Sequence, residues 1–247
     1  MTNPIKAIAG VVTAPARAAS ATAAGTARTL RDWSGGNVDD WGCDSDAVAR
    51  AFAVSRLRWD VSVGGAEHLP RRGGALIVTN ARALALAPLL AALALGDTVG
   101  RPVRFVGRPD VAPIGPLLQR LGGLLPIADE LAGALRAGEL VVLSAAHRRD
   151  NAHTGAIDHA LVGAAVAARV RVLPAVTLSA LSSRAARVEL GVPLARTRIR
   201  RGPLAELELA DALQRRIDEL LVEFGGPLRG TVLDWLPGAG TFREAFG

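Results

Sequence analysis

Two hydrophobic periods alternate along most of the chain. Short continuous runs of apolar or β-branched residues stand at Ala75 to Thr79 (ALIVT), Val103 to Val106 (VRFV), Leu140 to Leu143 (LVVL) and Val170 to Thr177 (VRVLPAVT), and each is short enough for a strand buried on both faces. Before them, Trp59, Val61 and Val63 share one face of a strand that Gly64-Gly65 ends, and Arg187 to Val192 (RVELGV) gives a further strand. Between the strands the pattern predicts apolar helices at 83–96, 113–122 and 157–168. Leu204 to Phe224 gives a terminal helix, with Leu209, Leu213, Ile217, Leu220 and Leu221 on one side. Continuously apolar strands alternating with helices predict an α/β fold whose central sheet is mostly parallel and flanked by helices on both faces.

The ends of the chain break this pattern. Residues 1–31 carry Lys6, Arg17, Arg28 and Arg31 and no acidic side chain. As a helix broken near Pro15 this stretch could lie on an anionic bilayer, where each basic residue adds ~1 kcal/mol; its Ala-rich composition, nearly without Trp, Phe and Leu, better suits a frayed tail. The sign then reverses at Asp32, Asp39, Asp40, Asp44 and Asp46, around Trp33 and Trp41, and Ser45 or Asp46 is placed to cap a helix running through Val54. The last stretch is punctuated by GGPLRG and LPGAG. The chain therefore divides into a basic segment with an acidic linker (1–45), an α/β domain (46–224) and a C-terminal arm (225–247).

Composition narrows the function classes. With 247 residues, 50% of them hydrophobic and 21% charged, the chain can fill a core. A single cysteine, Cys43, cannot form an internal disulfide, has no neighbouring base and reads as inert; with four scattered histidines it gives no metal-ligand spacing. The net charge of +6 is almost wholly arginine, since Lys6 is the one lysine, and aromatics make up 4% with no tyrosine. That lacks the stacking platform of a single-strand binder, so no nucleic-acid partner is expected. The apolar run Ala83 to Gly96 falls short of the ~20 residues of a bilayer span. Ile8 to Thr13 is too brief for a secretory signal. These readings predict a cytoplasmic protein, with peripheral contact at the inner face of the membrane. The Gly-Gly pairs at 73–74 and 122–123 lack a phosphate-loop pattern, and no cofactor is expected.

Several longer words carry a family resemblance. VSVGGAEHLPRRGGALIVTNARAL (Val61 to Leu84), RPVRFVGRPDVAPIGPLLQRLGGLLPI (Arg101 to Ile127), LRAGELVVLSAAHRRD (Leu135 to Asp150) and VGAAVAARVRVLPAV (Val162 to Val176) follow one another in the order and spacing of the glycerolipid acyltransferase family, which includes the lysophosphatidic acid acyltransferases. The chain resembles that family over roughly residues 55–195. The resemblance implies a glycerol-3-phosphate acyltransferase-like fold, and an acyl tunnel flanked by the 83–96 and 113–118 helices.

The family's chemistry rests on a His-x-x-x-x-Asp motif after the first of these strands. Its His takes a proton from the acceptor hydroxyl and its Asp orients the imidazole. Here Asn80 fits the residue before that His, but the His position is Ala81 and the Asp position is Leu86. A later Pro-Glu-Gly-Thr-Arg motif is matched by Ala145, Ala146, His147, Arg148 and Arg149, so only Arg149 agrees in type. Where the family has Asp-Arg, this chain has Asp129 and Glu130. A displaced base is the rescue: His147 and Asp150 lie three apart just beyond a strand, with His153, Asp158 and His159 after them. The same run, HRRDNAHTG, also reads as a polar surface loop. Arg101, Arg104, Arg108, Arg148 and Arg149 fall at or near strand ends, where open α/β sheets bind ligands, with Arg108 and Arg149 the candidates for a phosphate. Arg198, Arg200 and Arg201 form the densest basic cluster.

Two functions are compatible with these positions. The first is an acyltransferase-fold protein without the catalytic pair, which binds a lipid or acyl-thioester ligand or partners an active acyltransferase at the membrane. The second is an active phospholipid or glycerolipid acyltransferase that uses an acyl thioester and His147 as a displaced base.

Overall fold

The computed structural model describes residues 37–81, 87–147, 153–179, 184–194 and 202–225. The basic N-terminal segment and the C-terminal arm lie outside the described residues, as do Leu86, the 148–152 run and the cluster at 198–201. The described elements are α1 (Ser45–Arg58), β1 (Asp60–Gly64), β2 (Ala75–Thr79), α2 (Ala87–Val99), β3 (Val103–Val106), α3 (Ile114–Arg120), β4 (Gly123–Leu124), α4 (Ala128–Arg136), β5 (Leu140–Ser144), α5 (His159–Ala168), β6 (Arg171–Ser179), β7 (Ala185–Leu190) and α6 (Pro203–Phe224). The seven strands form one sheet in the order β1-β7-β6-β2-β5-β3-β4. Every neighbouring pair is parallel except β6 with β7. This is the mixed α/β architecture that the strand and helix periods predict.

Alternation along the strands sorts the core into two layers. Leu76, Val78, Val141, Leu143, Val172 and Val176 face one side of the sheet and pack with α4, α5 and α6. Ala75, Ile77, Leu140, Val142, Val103 and Phe105 face the other and pack mainly with α2. Because both faces are covered, the central strands β2 and β5 are buried and apolar at nearly every position rather than at alternate ones.

Pro174 lies in the interior of β6, a place where proline normally removes a ladder bond. Its carbonyl accepts from Gly191 N, so its missing N–H would also have faced β7, and β7 pairing ends at Ala175 with Leu190. The β2–β6 ladder is therefore untouched, and the β6–β7 ladder stops where the proline has no N–H to return. Gly65, just past β1, has φ +70°, and a Cβ there would lie 2.1 Å from the Leu190 carbonyl oxygen. This close approach lets the chain leave β1 beneath the end of β7.

Several boundaries differ from the sequence reading. The cap of α1 is Asp44, not Ser45 or Asp46: its Oδ1 accepts from Asp46 N at 3.0 Å and Ala47 N at 3.1 Å, and the helix continues past Val54 to Arg58. Strand β7 begins and ends two residues earlier than RVELGV suggests. Helix α4 and the two-residue β4 are absent from the sequence reading. Yet α4 carries a helical signature, with Asp129 and Glu130 in its first turn, Arg136 in its last, and Leu131 and Leu135 buried on one face.

Residues 37–44 are fastened to the sheet through a buried cation. The Arg104 side chain, 1% exposed, projects from β3 to pair with Asp39 (Nη2 to Oδ2, 2.5 Å). Its Nε lies 3.2 Å from Glu139 Oε2 without the alignment of a hydrogen bond. The guanidinium also sits 5.9 Å from the ring centre of Trp41. Asp39 Oδ1 meanwhile accepts from Trp41 N and Cys43 N and fixes the turn.

Candidate functional site

The connections leaving the adjacent strands β2 and β5 go to opposite faces: β2 leads to α2 on one side, and β5 leads to α5 on the other. Chains that part in this way leave a crevice at the carboxyl ends of the two strands, and open α/β sheets hold ligands there. A cavity of about 700 Å³ occupies that place. Pro88 and Leu89 of α2, Phe105 of β3 and Leu118 of α3 form one wall, and Leu143, Ala145 and Leu161 form another. Ala81, Ser144 and His147 stand where β2 and β5 end.

The ends of these strands are held rigidly. Asn80 is buried and lies between β2 and β6: its Oδ1 accepts from Thr177 N at 2.7 Å and from Thr79 Oγ1 at 3.1 Å, and its Nδ2 donates to Thr177 O at 3.3 Å. The Thr79 and Thr177 hydroxyls are 2.9 Å apart. Asn80 thus extends the β2–β6 pairing by side chain for one residue after the strand stops, which sets Ala81 at the cavity wall. On the β5 side, Ala145 N donates to Thr79 O and Ala146 N to Ala156 O, both at 2.8 Å, so the two residues leading into His147 are tied to β2 and to the stretch before α5.

Of the positions read from the sequence, Ala81 and His147 meet at this one cavity. Leu86, Asp150 and Arg149 lie outside the described residues. His147 is exposed and is the one titratable side chain among the described residues that line the cavity. Asp158 does not orient a base: it caps α5, its Oδ1 accepting from Ala160 N and Leu161 N at 2.9 and 3.3 Å. His159, next in the chain, opens that helix.

The described arginines separate into different roles. Arg101 is not at the ligand-binding edge. It precedes β3 and donates to the carbonyls of Gly138 and Gly73 at 3.2 and 2.9 Å, at the amino ends of β5 and β2. Arg104 is spent inside the fold on Asp39 and Glu139. Of these three, Arg108 alone stays near the cavity, directly after the lining residue Gly107. Its side chain is 12% exposed, and its Nη2 lies 3.5 Å from Glu130 Oε1. Cys43 is buried, and its burial pushes the thiol up to about 11, away from nucleophilic use.

No protein-family model matches the chain, and no curated protein matches it. Among solved structures, it is similar to the crystal structure of the 1-acyl-sn-glycerophosphate (LPA) acyltransferase PlsC from Thermotoga maritima, with a TM-score of 0.52 and 17% identity over 74% of this chain and 79% of that one. The chain has an acyltransferase fold. The backbone likeness agrees with the resemblance carried by the sequence words, and at this identity it concerns the fold alone. What an acyltransferase fold does in this chain depends on the side chains at its cavity.

Proposed function

We propose that this protein uses the acyltransferase fold to hold a lipid or acyl-thioester ligand without turning it over, at the inner face of the membrane, either alone or beside an active acyltransferase. The observation that carries this reading is the cavity at the β2 and β5 ends. Its volume is that of a small-molecule site and its walls are apolar, while the residue placed on its wall after Asn80 is Ala81, which can neither take nor give a proton. No carboxylate lines it among the described residues. Among those residues, too, no helix is long and apolar enough to cross a membrane, so contact with lipid would be peripheral.

His147 gives the second reading its specific support, because it lines the same cavity as Ala81. As a displaced base it would take the proton of an acceptor hydroxyl while the oxygen attacks the thioester carbonyl and the thiolate leaves. One experiment separates the two: acyl transfer from a thioester donor to a panel of lysophospholipids and glycerol phosphate, run on the native chain and on His147→Ala. Under the first reading the native chain binds an acyl probe and shows no transfer. Transfer by the native chain that falls by ~10²–10⁴ in His147→Ala would establish the second. Activity gained by Ala81→His combined with Leu86→Asp would show that the cavity still accepts substrates.

A further inference from the structure

Beside the lining residue Gly107 stands a cation whose charge is already answered. Arg108 follows the lining residue Gly107, and its main-chain N–H donates to Leu124 O at 3.0 Å, so β3 presents it at the carboxyl edge of the sheet. Glu130, in the first turn of α4, faces it at 3.5 Å. Glu130 is itself held in place, because its Oε1 accepts from Leu125 N at 3.2 Å, beside the lining residue Pro126. Both members are largely withdrawn from water, with side chains 12% and 23% exposed, so neither reorients at low cost. Arg108 Nε is buried with no hydrogen-bond partner, so among the described residues Glu130 is the group that answers its charge.

A phosphate brought beside Gly107 would meet Glu130 as well as Arg108. Holding it would mean either breaking a partly buried pair or accepting a like charge a few ångströms away. An uncharged head, such as a glycerol or an ester, meets no such obstacle. We infer that Glu130, acting through Arg108, sets the cavity's ligand class: single-chain lipids with an uncharged head, in preference to those ending in a phosphate. The inference rests on the lipid-binding reading above and names the ligand that reading leaves open. Glu130 is a positioning residue here, since it acts by fixing and neutralising Arg108.

The test is displacement of a fluorescent fatty acid from the full chain by 1-lauroylglycerol and by 1-lauroylglycerol 3-phosphate, below their micelle concentrations. The native chain is expected to bind the uncharged lipid at least as tightly as the phosphate. Glu130→Gln keeps an acceptor for Leu125 N and frees Arg108, so it should tighten the phosphate lipid by about tenfold and leave the uncharged lipid within about twofold. Adding Arg108→Gln should abolish that gain, which a general change of surface charge would not do. A native chain that prefers the phosphate lipid by tenfold or more overturns the inference while leaving lipid binding intact. An unchanged phosphate affinity in Glu130→Gln overturns the role given to Glu130. Failure of the fatty acid and both lipids to bind removes the inference together with the reading beneath it. The comparison on the native chain needs no variant to fold.

Discussion

Asp39→Asn isolates the energetics of the buried cation. The change keeps an oxygen to accept from Trp41 N and Cys43 N, so the turn at 39–43 survives, but it replaces the carboxylate oxygen facing Arg104 with an NH₂ donor. Arg104, 1% exposed, is then left with Glu139, whose oxygen lies 3.2 Å from Nε in poor alignment. At the observed 2.5 Å, two unit charges attract by roughly 7 kcal/mol at an effective dielectric of about 20. Asp39 is 39% exposed and keeps part of its hydration, so the net loss should fall in the range of about 3–5 kcal/mol found when a buried charge loses its partner. For a chain of this size that is a fall in Tm of about 6–20 °C. Arg104→Met makes the complementary perturbation. It removes the buried charge and fills much of its volume, and the two carboxylates left behind, 39% and 26% exposed, can be hydrated. It should therefore cost less, about 1–2 kcal/mol. Urea unfolding of both variants, read by tryptophan fluorescence, gives the order. If Arg104→Met proves as damaging as Asp39→Asn, the lost attraction outweighs the stranding of a charge, and the reasoning fails. If Asp39→Asn leaves stability intact and instead alters lipid-headgroup binding, Arg104 belongs to the ligand site and not to the fold.

Other perturbations have equally definite outcomes. Asn80→Ala leaves Thr177 N and O at the β2–β6 junction without their partner and should destabilise the chain by about 1–3 kcal/mol in chemical denaturation. Ala81→Phe projects a ring toward the cavity; it should abolish binding of a fluorescent fatty acid while the melting temperature changes little, and unaltered binding would place the ligand elsewhere. Asp158→Ala should cost about 0.5–2 kcal/mol through the lost cap of α5, with no separate effect on any acyl transfer. The Cys43 thiol, raised from 9.0 to about 11 by burial, favours its neutral form in the folded chain. Its contribution to stability is therefore intact below about pH 9 and is lost as pH rises through about 11, and Cys43→Ser should flatten that alkaline decline; a thiol reagent at pH 8 should label Cys43 only on unfolding.

What could be read from the sequence follows from which signals are local. Strands β2 and β3 coincide with ALIVT and VRFV because strands buried on both faces run largely apolar, Arg104 being the charge that β3 carries inside. Asp44 was legible only as one of several acidic neighbours, since choosing among adjacent caps depends on which carboxylate reaches the free N–H groups. Helix α4 is nine residues long and follows a two-residue strand, so its period had little room to show. Ala81 and His147 were legible as motif positions, and the sheet topology explains why residues from β2 and β5 meet. The arginines were not separable by sequence. Arg104 looks like any cation near a strand until Asp39, 65 residues away, is seen beside it, and Glu130 gains its meaning only from Arg108.

The strand order also dictates when this protein can begin to exist during synthesis. The central strand β2 pairs with β5 and β6, so Ala75 finds no neighbour until the ribosome has made Leu140, and no second one until it has made Arg171. Asp60 waits longer still, for Ala185. Until then ALIVT emerges as a bare, uncharged β-forming segment with both edges open, the kind of stretch that seeds association between nascent chains. Production of this chain should accordingly be governed less by the stability of the finished fold than by translation speed and by holdase chaperones that shield ALIVT until β5 arrives.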